Sequence, residues 1–271
     1  MVSALSILFM AISMIISIGL PIGLFLFLRK RMNLKVVPML VGAVAFVVFA
    51  LILESLLHQL VLRPDADGTI ALLNNPLLYM LYGCFAAGIF EESARFISFR
   101  LLKKKYSGVR TGFSYGIGHG GIEAILLAGL AMLSNIVLSI MMNTGATAAL
   151  GNSPEILAGI ATLQETDSYL FLVSGIERIS AVVIQISLSL LVWFSVNRKG
   201  KGWLFPAAIV LHAVIDAPAA LMQAGAISSI ALVELLVAVA AVVLAVLAYF
   251  ACKRFKNDDA AVNASENLYR I

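Results

Sequence analysis

The sequence predicts an all-α fold, a polytopic transmembrane helical bundle of about seven helices, from three observations. Of its 271 residues, 61% are hydrophobic and only 13% are charged, which lies far outside the balance of a soluble globular domain. The apolar residues form runs of roughly 20 or more, the length that a helix needs to cross the hydrocarbon core of a bilayer. Basic residues are concentrated in every second connection between these runs. We therefore expect a multi-pass protein of the cell membrane.

The apolar runs form one integral membrane domain, residues 1–256, and the polar residues 257–271 are expected to be a disordered cytoplasmic tail. The first run lacks the basic start and the small-residue cleavage site of a signal peptide, so it is expected to remain as a helix. Length and hydropathy place the seven spans at residues 3–28, 36–62, 76–101, 113–142, 168–196, 203–223 and 226–252.

The positions of the charged residues predict the orientation of the bundle. Basic clusters follow the first, third and fifth spans at residues 29–31, 103–105 and 199–201. The alternate connections instead carry the acids Asp65, Asp67, Glu155, Glu165 and Asp167. By the positive-inside rule, the N-terminus lies outside and the C-terminus lies in the cytoplasm. The net charge of +4 therefore reflects membrane topology, and no nucleic-acid partner is expected.

Ionisable side chains inside the spans give the first indication of function, because they are costly in lipid and usually mark sites of chemistry. Counted at about 1.5 Å per helical residue from the nearest basic connection, Glu92, His119 and His212 all lie roughly 14–16 Å deep. These residues belong to three spans that run in alternating directions. We therefore expect one polar layer near the middle of the membrane, reached from the cytoplasmic side.

Each of these three spans carries a short polar motif. The motifs are Glu91-Glu92-x-x-Arg95, Tyr115-x-x-x-His119-x-x-x-Glu123 and His212-x-x-x-Asp216. Residues four apart share a helix face, so Glu123 and Asp216 can each orient the histidine that precedes them. Arg95 can neutralise one of the two adjacent carboxylates, which cannot both ionise cheaply in a medium of low dielectric constant.

Together these groups have the chemistry that amide hydrolysis needs. A carboxylate of Glu91 or Glu92 can take a proton from a water held beside His119, and that water can attack a peptide carbonyl. His212 can stabilise the oxyanion or protonate the leaving amine. The residues therefore favour an intramembrane endopeptidase that cleaves a membrane protein or a lipophilic peptide.

In these motifs and in their order between residues 91 and 216, the sequence resembles the CAAX-protease-like intramembrane peptidases and, among them, the YhfC family. PrsW-type proteases have a similar Glu-Glu-x-x-Lys spacing and a His-x-x-x-Asp motif. The prenyl-protein proteases have Glu-Glu-x-x-x-Arg, Phe-x-x-x-His and His-x-x-x-Asn, from which this chain departs at Arg95, Tyr115 and Asp216. The resemblance implies proteolysis by a glutamate-activated water, and a metal mechanism has also been considered for such families.

Two features of the mechanism stay open in the sequence. Aligning the Glu-Glu pair with the family motif makes Glu91 the base, whereas pairing Arg95 with the glutamate four residues before it leaves Glu92 as the base. No cofactor is favoured. In the alternative metal mechanism, the ligands of a zinc ion would be His119, His212 and Glu92.

Competing interpretations use the same residues. The resemblance extends to a non-catalytic scaffold subunit of gamma-secretase, so a scaffold of this fold is one alternative. A proton-coupled transporter is another, because acids and histidines in mid-membrane also form proton relays. Glu177 and Arg178 are expected to form interhelical ion pairs. Glu54 and His58 are expected to lie at the outer headgroups without a catalytic role.

Overall fold

The protein is helical throughout the part of the chain that the computed structural model describes, residues 1–65, 68–106, 108–146 and 153–268. Within these ranges there is no β-strand, in agreement with the predicted all-α class. A short 3-10 helix, Ala71–Asn74, precedes the third long helix. The α-helices are α1 (Ala4–Met32), α2 (Val36–Val61), α3 (Pro76–Leu102), α4 (Val109–Thr144), α5 (Pro154–Glu165), α6 (Ser168–Asn197), α7 (Leu204–Gln223) and α8 (Ile230–Leu268).

Among the described residues, six helices are long and apolar enough to cross a membrane, namely α1, α2, α4, α6, α7 and the part Ile230–Arg254 of α8. Helix α3 has 27 residues, but its second half is more polar because it carries Glu91, Glu92, Arg95 and Arg100. These seven helices coincide with the seven predicted spans, with small differences at their ends. The shorter helix α5 lies in the connection between the fourth and fifth spans.

Helix α8 continues beyond the membrane-spanning part. Its backbone is helical to Leu268, whereas the sequence predicts a disordered tail from residue 257. The three alanines between residues 260 and 264 are strong helix formers, which favours this continuation. Asp67, in one of the acidic connections, and residues 269–271 lie outside the described part of the chain. The orientation of the bundle across the membrane stays a prediction.

Polar side chains cap the starts of α1 and α3. The Ser3 side chain accepts a hydrogen bond of 3.0 Å from the backbone N–H of Ser6 at the start of α1. The Asn75 side chain accepts one of 3.2 Å from Leu78 at the start of α3, and Pro76 occupies the first helical position. Such caps satisfy backbone donors that have no partner within the helix.

Helix α6 is the central helix of the bundle. It packs against α1, α3, α4, α7 and α8. Of its most apolar segment, 67% is buried inside the protein, compared with 17–22% in the other five apolar spans. A helix buried on most sides needs partners for any polar side chain it carries, because neither water nor lipid headgroups reach it.

Glycines allow helix α4 to approach its neighbours closely. A Cβ atom on Gly118 would lie 2.9 Å from Met39 Cα of α2, and one on Gly116 would lie 2.7 Å from Ile186 Cα of α6. A Cβ atom on Gly120 would lie 2.7 Å from Gln185 Cβ. Small residues that let helices approach closely are typical of membrane bundles. The glycines around His119 therefore serve close packing on two sides of α4.

Two spanning helices contain π-helical segments beside acidic residues. The segment Val47–Glu54 lies in α2 and ends on Glu54. The segment Ala124–Gly129 lies in α4 and begins directly after Glu123. Short π-helical segments within α-helices are frequent at functional sites, because the wider turn redirects the side chains next to it.

Candidate active site

Helices α3, α4 and α7 bring four predicted site residues together in the interior of the bundle. His119 Nε2 donates a hydrogen bond of 2.9 Å to Glu91 Oε2. His212 Nδ1 donates one of 2.7 Å to Glu92 Oε1, and His212 Nε2 lies 3.9 Å from Glu91 Oε1. All four side chains are buried. The structure thus places Glu91 between the Nε2 atoms of two histidines from different helices.

The two adjacent glutamates have different surroundings. They are neighbours on α3, so their side chains point in directions about 100° apart. Glu91 faces both imidazoles and is 7% exposed, whereas Glu92 is fully buried and contacts His212 Nδ1 and Arg95. The Oε2 atom of Glu92 has no hydrogen-bond partner. Glu91 is therefore the carboxylate that lies within reach of both histidine Nε2 atoms.

Arg95 contacts both glutamates, whereas the sequence predicts that it neutralises one of them. Its Nη1 donates a hydrogen bond of 2.5 Å to Glu92 Oε1, and its Nη2 donates one of 3.3 Å to Glu91 Oε2. It also donates to Gln185 and, over 3.2 Å, to Ser189 Oγ of α6. The guanidinium is fully buried, and the two carboxylates compensate its charge.

Gln185 of α6 is a site residue that the sequence reasoning missed. Its amide oxygen accepts from Arg95, and its Nε2 donates to Glu91 Oε2 over 3.2 Å and to Glu123 Oε2 over 2.5 Å. The sequence does contain a signal for this role of Gln185, because Gln185 and Ser189, four residues later, share one face of an otherwise apolar span. A polar face of this kind needs partners when the helix is central in a membrane bundle.

The predicted role of Glu123 is wrong in one respect. It lies four residues after His119 and was expected to orient that imidazole. Instead, His119 bonds to Glu91 through Nε2, and its buried Nδ1 has no hydrogen-bond partner. Glu123 accepts from Gln185 and, over 3.3 Å, from Arg178 Nη1 of α6. The π-helical segment that starts after Glu123 changes the local helix geometry, and the cations and amides of α6 attract the carboxylate.

Arg178 forms the predicted interhelical ion pair with Glu123, whereas Glu177 pairs with Arg178 on its own helix. Arg178 donates to Glu177 beside it and to Glu123 of α4, so the pair connects two helices. These contacts lie about two helical turns from Gln185 along α6. They continue the polar network of the site toward one end of the bundle.

Aromatic rings enclose His119. The Tyr115 ring stacks beside the imidazole with centroids 5.8 Å apart and an interplanar angle of 27°. Phe46 of α2 meets the imidazole edge-on at 5.1 Å. Tyr115, the predicted supporting residue on this helix, is itself fully buried. This packing and the hydrogen bond from His119 Nε2 to Glu91 together hold the imidazole in one orientation.

Asp216 contacts His212, as predicted, and opens the site to a cavity. Its Oδ2 atom lies 3.3 Å from His212 Nε2, and its side chain is 40% exposed. The cavity, of about 400 Å³, lies between α2, α3 and α7. Among its lining residues are Tyr79 near the start of α3 and Gln223 at the end of α7. It therefore opens toward the end of the bundle opposite the basic clusters, whereas the depth of the motif residues in the sequence predicts access from the basic, cytoplasmic side.

Glu54 faces the interior of the bundle and not the headgroups, whereas the predicted position of Glu54 and His58 near the outer boundary stays a prediction. Glu54 is buried and accepts a hydrogen bond of 3.2 Å from His58 Nε2. His58 Nδ1 lies 2.8 Å from the hydroxyl of Tyr82 on α3. All three residues line the cavity beside Asp216. The π-helical segment that ends on Glu54 turns this side chain inward. The 3.6-residue periodicity of a regular α-helix does not predict this direction.

The donor atoms around Glu91 fit a zinc ion by type. Two imidazole nitrogens and one carboxylate form the ligand set of many catalytic zinc sites. Glu91 lies between His119 and His212. Glu92, the glutamate that the sequence predicts as a zinc ligand, instead contacts Arg95 and the Nδ1 atom of His212. Among the described residues, no group of three or more His, Cys, Asp or Glu side chains is already arranged to hold a metal ion.

Comparisons with known proteins agree with the motifs. The family described as YhfC intramembrane metalloprotease matches residues 16–237 of the chain. The uncharacterized membrane protein YhfC of Bacillus subtilis (strain 168) is 39% identical over 246 residues, which are 89% of this chain and 94% of the relative. No solved structure matches the chain.

Proposed function

Because the chain belongs to the YhfC family of intramembrane metalloproteases, we propose that it is an intramembrane endopeptidase with Glu91, His119 and His212 as its catalytic residues. The observation that carries the proposal is the position of Glu91 between two histidines from two other helices, inside a membrane bundle. Its substrate is a membrane protein or a lipophilic peptide. Buried ionisable groups of this kind are retained in membranes chiefly for function.

In the proposed reaction, Glu91 is the general base. It takes a proton from a water beside His119, and the oxygen of that water bonds to the carbonyl carbon of the scissile peptide. Electron density moves to the carbonyl oxygen, which His212 Nε2 stabilises. When the C–N bond breaks, the leaving nitrogen receives a proton from His212 or from Glu91. Glu92 orients the His212 imidazole by accepting a hydrogen bond from its Nδ1 atom.

The charges around Glu91 support this role. Arg95 lies 3.3 Å from the Glu91 carboxylate and 2.5 Å from the Glu92 carboxylate. Its closer ion pair is therefore with Glu92, which orients His212, and not with Glu91, the proposed base. Gln185 donates to Glu91 and fixes its carboxylate from the side of α6. Fixed hydrogen-bond donors around a general base keep its carboxylate oriented during proton transfer. Their electrostatic stabilisation of the transition state is larger in a site that excludes bulk water.

A metal ion would use the same residues. Zinc would be held by His119, His212 and Glu91, and it would supply a Lewis acid that activates water and polarises the carbonyl. The preference of the sequence analysis for a metal-free reaction is not supported by the family description. Glu92, Arg95 and Gln185 keep their positioning roles in either mechanism.

Proteolysis can be tested without knowing the substrate. Cells that produce the native protein are expected to contain new peptide termini within membrane segments, and cells that produce Glu91→Gln, His119→Ala or His212→Ala are expected to lack them. General acid-base groups contribute about 10²–10⁴-fold in rate, so each single change should abolish detectable cleavage. The measurement is mass spectrometry of protein termini from isolated membranes.

Glu92→Gln and Glu234→Gln are the matched variants. Glutamine at position 92 can still accept from His212, so a measurable fraction of cleavage should remain. Glu234 is an acid on α8 outside the site, and its variant should cleave normally.

The double variant His119→Ala with His212→Ala should be little worse than either single variant, because the groups act as a unit. Equal cleavage by the native protein and His119→Ala would contradict the proposal.

Metal dependence is tested on the purified protein in detergent. If zinc takes part, the native protein should contain about one zinc ion per chain, and His119→Ala and His212→Ala should contain much less. A chelator should remove both the metal and the cleavage, and added zinc should restore both. Full activity after complete removal of metal would establish the metal-free mechanism with Glu91 as the only activator of water.

A further inference from the structure

The cavity beside Asp216 has no role in the reaction described above. It has a volume of about 400 Å³ and is lined by polar side chains from three helices, although the surrounding bundle is mainly apolar. A water molecule occupies about 30 Å³ of liquid, so the cavity is much larger than a single hydration site. Its polar lining consists of Glu54, His58, Tyr79, Tyr82, Asp216 and Gln223.

This cavity is continuous with the catalytic residues through one side chain. Asp216 lines the cavity and lies 3.3 Å from His212 Nε2. On the opposite wall, Glu54 is held by His58, which in turn is held by Tyr82. A molecule in the cavity therefore lies between a fixed carboxylate of α2 and a carboxylate that contacts the catalytic histidine.

The cavity is lined by acidic side chains but by no lysine or arginine among its described residues. The acids are Glu54 and Asp216. Arg95, the buried cation of the site, is directed to the other side, where Glu91, Glu92, Gln185 and Ser189 surround it. Arg63 follows the lining residue Leu62 but is exposed beyond the cavity. A cavity with acidic walls in a medium of low dielectric constant attracts cations strongly.

The burial of Glu54 supports a binding role. A buried carboxylate in a membrane span costs several kcal/mol unless it is compensated. Glu54 is 8% exposed and has one imidazole partner, whereas Glu91 has an imidazole, a guanidinium and an amide. The unused acceptor capacity of Glu54 faces the cavity. A ligand with several N–H donors, such as an ammonium or guanidinium group, matches this capacity.

We propose that this cavity is a substrate subsite that binds a cationic group, a lysine or arginine side chain or a free amino terminus, between Glu54 and Asp216. The substrate reaches it from the end of the bundle opposite the basic clusters. This assignment rests on the proposed peptidase function, because it makes the bound cation a neighbour of the scissile bond. The cationic preference itself can be measured without any cleavage.

Cysteine labelling tests the cavity directly. Cys84 and Cys252 are first replaced by alanine, and Ala220, which lines the cavity, is replaced by cysteine. In membrane vesicles, the rate of modification by a trimethylammonium methanethiosulfonate is divided by the rate with the sulfonate reagent, and this ratio should be roughly tenfold larger at Ala220→Cys than at a control cysteine outside the cavity. Adding Glu54→Gln should reduce this ratio. Ala226→Cys, an exposed position after α7 outside the cavity, is the matched control and should show a much smaller ratio.

The outcomes are distinct. The same rate ratio at Ala220→Cys and Ala226→Cys, or a ratio at Ala220→Cys that Glu54→Gln leaves unchanged, would overturn the cationic subsite. If Ala220→Cys is modified only when the reagent is added on the side of the basic clusters, the proposed direction of access is wrong. If the cationic preference is found but no peptide is cleaved, the subsite stands and the peptidase proposal fails.

Kinetics then connect the subsite with catalysis. For a cleaved peptide, replacing a lysine near the scissile bond by norleucine should raise KM in the native protein. Glu54→Gln should raise KM for the lysine peptide about tenfold and leave the norleucine peptide nearly unchanged, as expected when one charged contact is lost. An equal effect on both peptides would indicate a structural role for Glu54 and would overturn the assignment.

Discussion

Glu91 and Glu92 are adjacent in the sequence but have different environments in the fold. Glu91 lies between His119 and His212, and Glu92 lies between His212 and Arg95. The motif alone allows either to be the base. Since consecutive residues on a helix point about 100° apart, only the positions of the neighbouring helices separate their roles.

Gln185 connects the catalytic and the supporting residues, and we expect Gln185→Leu to damage both stability and activity. The change keeps most of the side-chain volume but removes partners from Arg95, Glu91 and Glu123. Each buried polar group left without a partner costs about 1–3 kcal/mol, and more when it is charged. The measurement is the midpoint of thermal unfolding in detergent, together with the rate of peptide cleavage.

Ser187→Ala is the matched control for Gln185→Leu. Ser187 lies two residues further along α6 and is buried, but its hydroxyl donates only to the carbonyl of Val183 in its own helix. Its removal should change the unfolding midpoint little. If Gln185→Leu behaves like Ser187→Ala in both stability and cleavage, the network has no positioning role.

Among the helices, α4 depends most on glycine. Its polypeptide backbone lies close to α2 and to α6, and His119 is placed between the two contacts. Each glycine lowers helix propensity by about 1 kcal/mol relative to alanine in water. The close packing on both sides offsets this cost, and it also brings His119 to Glu91.

Gly118→Ala should therefore destabilise the bundle and reduce cleavage. The added Cβ would lie 2.9 Å from Met39 Cα, so α2 and α4 must separate. Overpacking of this kind costs about 1–3 kcal/mol, which is more than the gain in helix propensity. The thermal unfolding midpoint and the cleavage rate should both fall.

Gly23→Ala on α1 provides the comparison. An added Cβ at this position meets no atom within 4 Å, so only helix propensity changes. Its unfolding midpoint should stay the same or rise. A fall of similar size in both variants would show that glycine flexibility, not close approach of α2, matters in these helices.

The orientation of the whole molecule is tested by cysteine accessibility. The alternation of basic and acidic connections predicts that residues 29–31, 103–105 and 199–201 face the cytoplasm. In a variant without its native cysteines, reagents confined to the outside should fail to label Lys104→Cys and Lys199→Cys, and should label Ala226→Cys. Labelling of Lys104→Cys from outside would reverse the orientation and, with it, the side from which the cavity is reached.

Most of the architecture is determined by local sequence properties. In lipid, every backbone N–H and C=O must be satisfied within a helix, so a long apolar run has one structural solution and its limits can be predicted from hydropathy. The same holds for contacts within one helix, such as His212 with Asp216 and Arg95 with both glutamates, because three- and four-residue spacing determines them.

Contacts between helices followed from the tertiary structure and not from spacing. The rotation of each helix about its axis depends on how its neighbours pack, and this determines that Gln185 reaches Glu91 and that Glu123 turns to Arg178 instead of His119. The π-helical segments add a further rotation that a regular 3.6-residue count does not include, and they bring Glu54 into the cavity. The candidate site residues on α3, α4 and α7 can therefore be predicted one helix at a time, whereas Gln185, the partners of each residue and the side of access depend on the packing of the whole bundle.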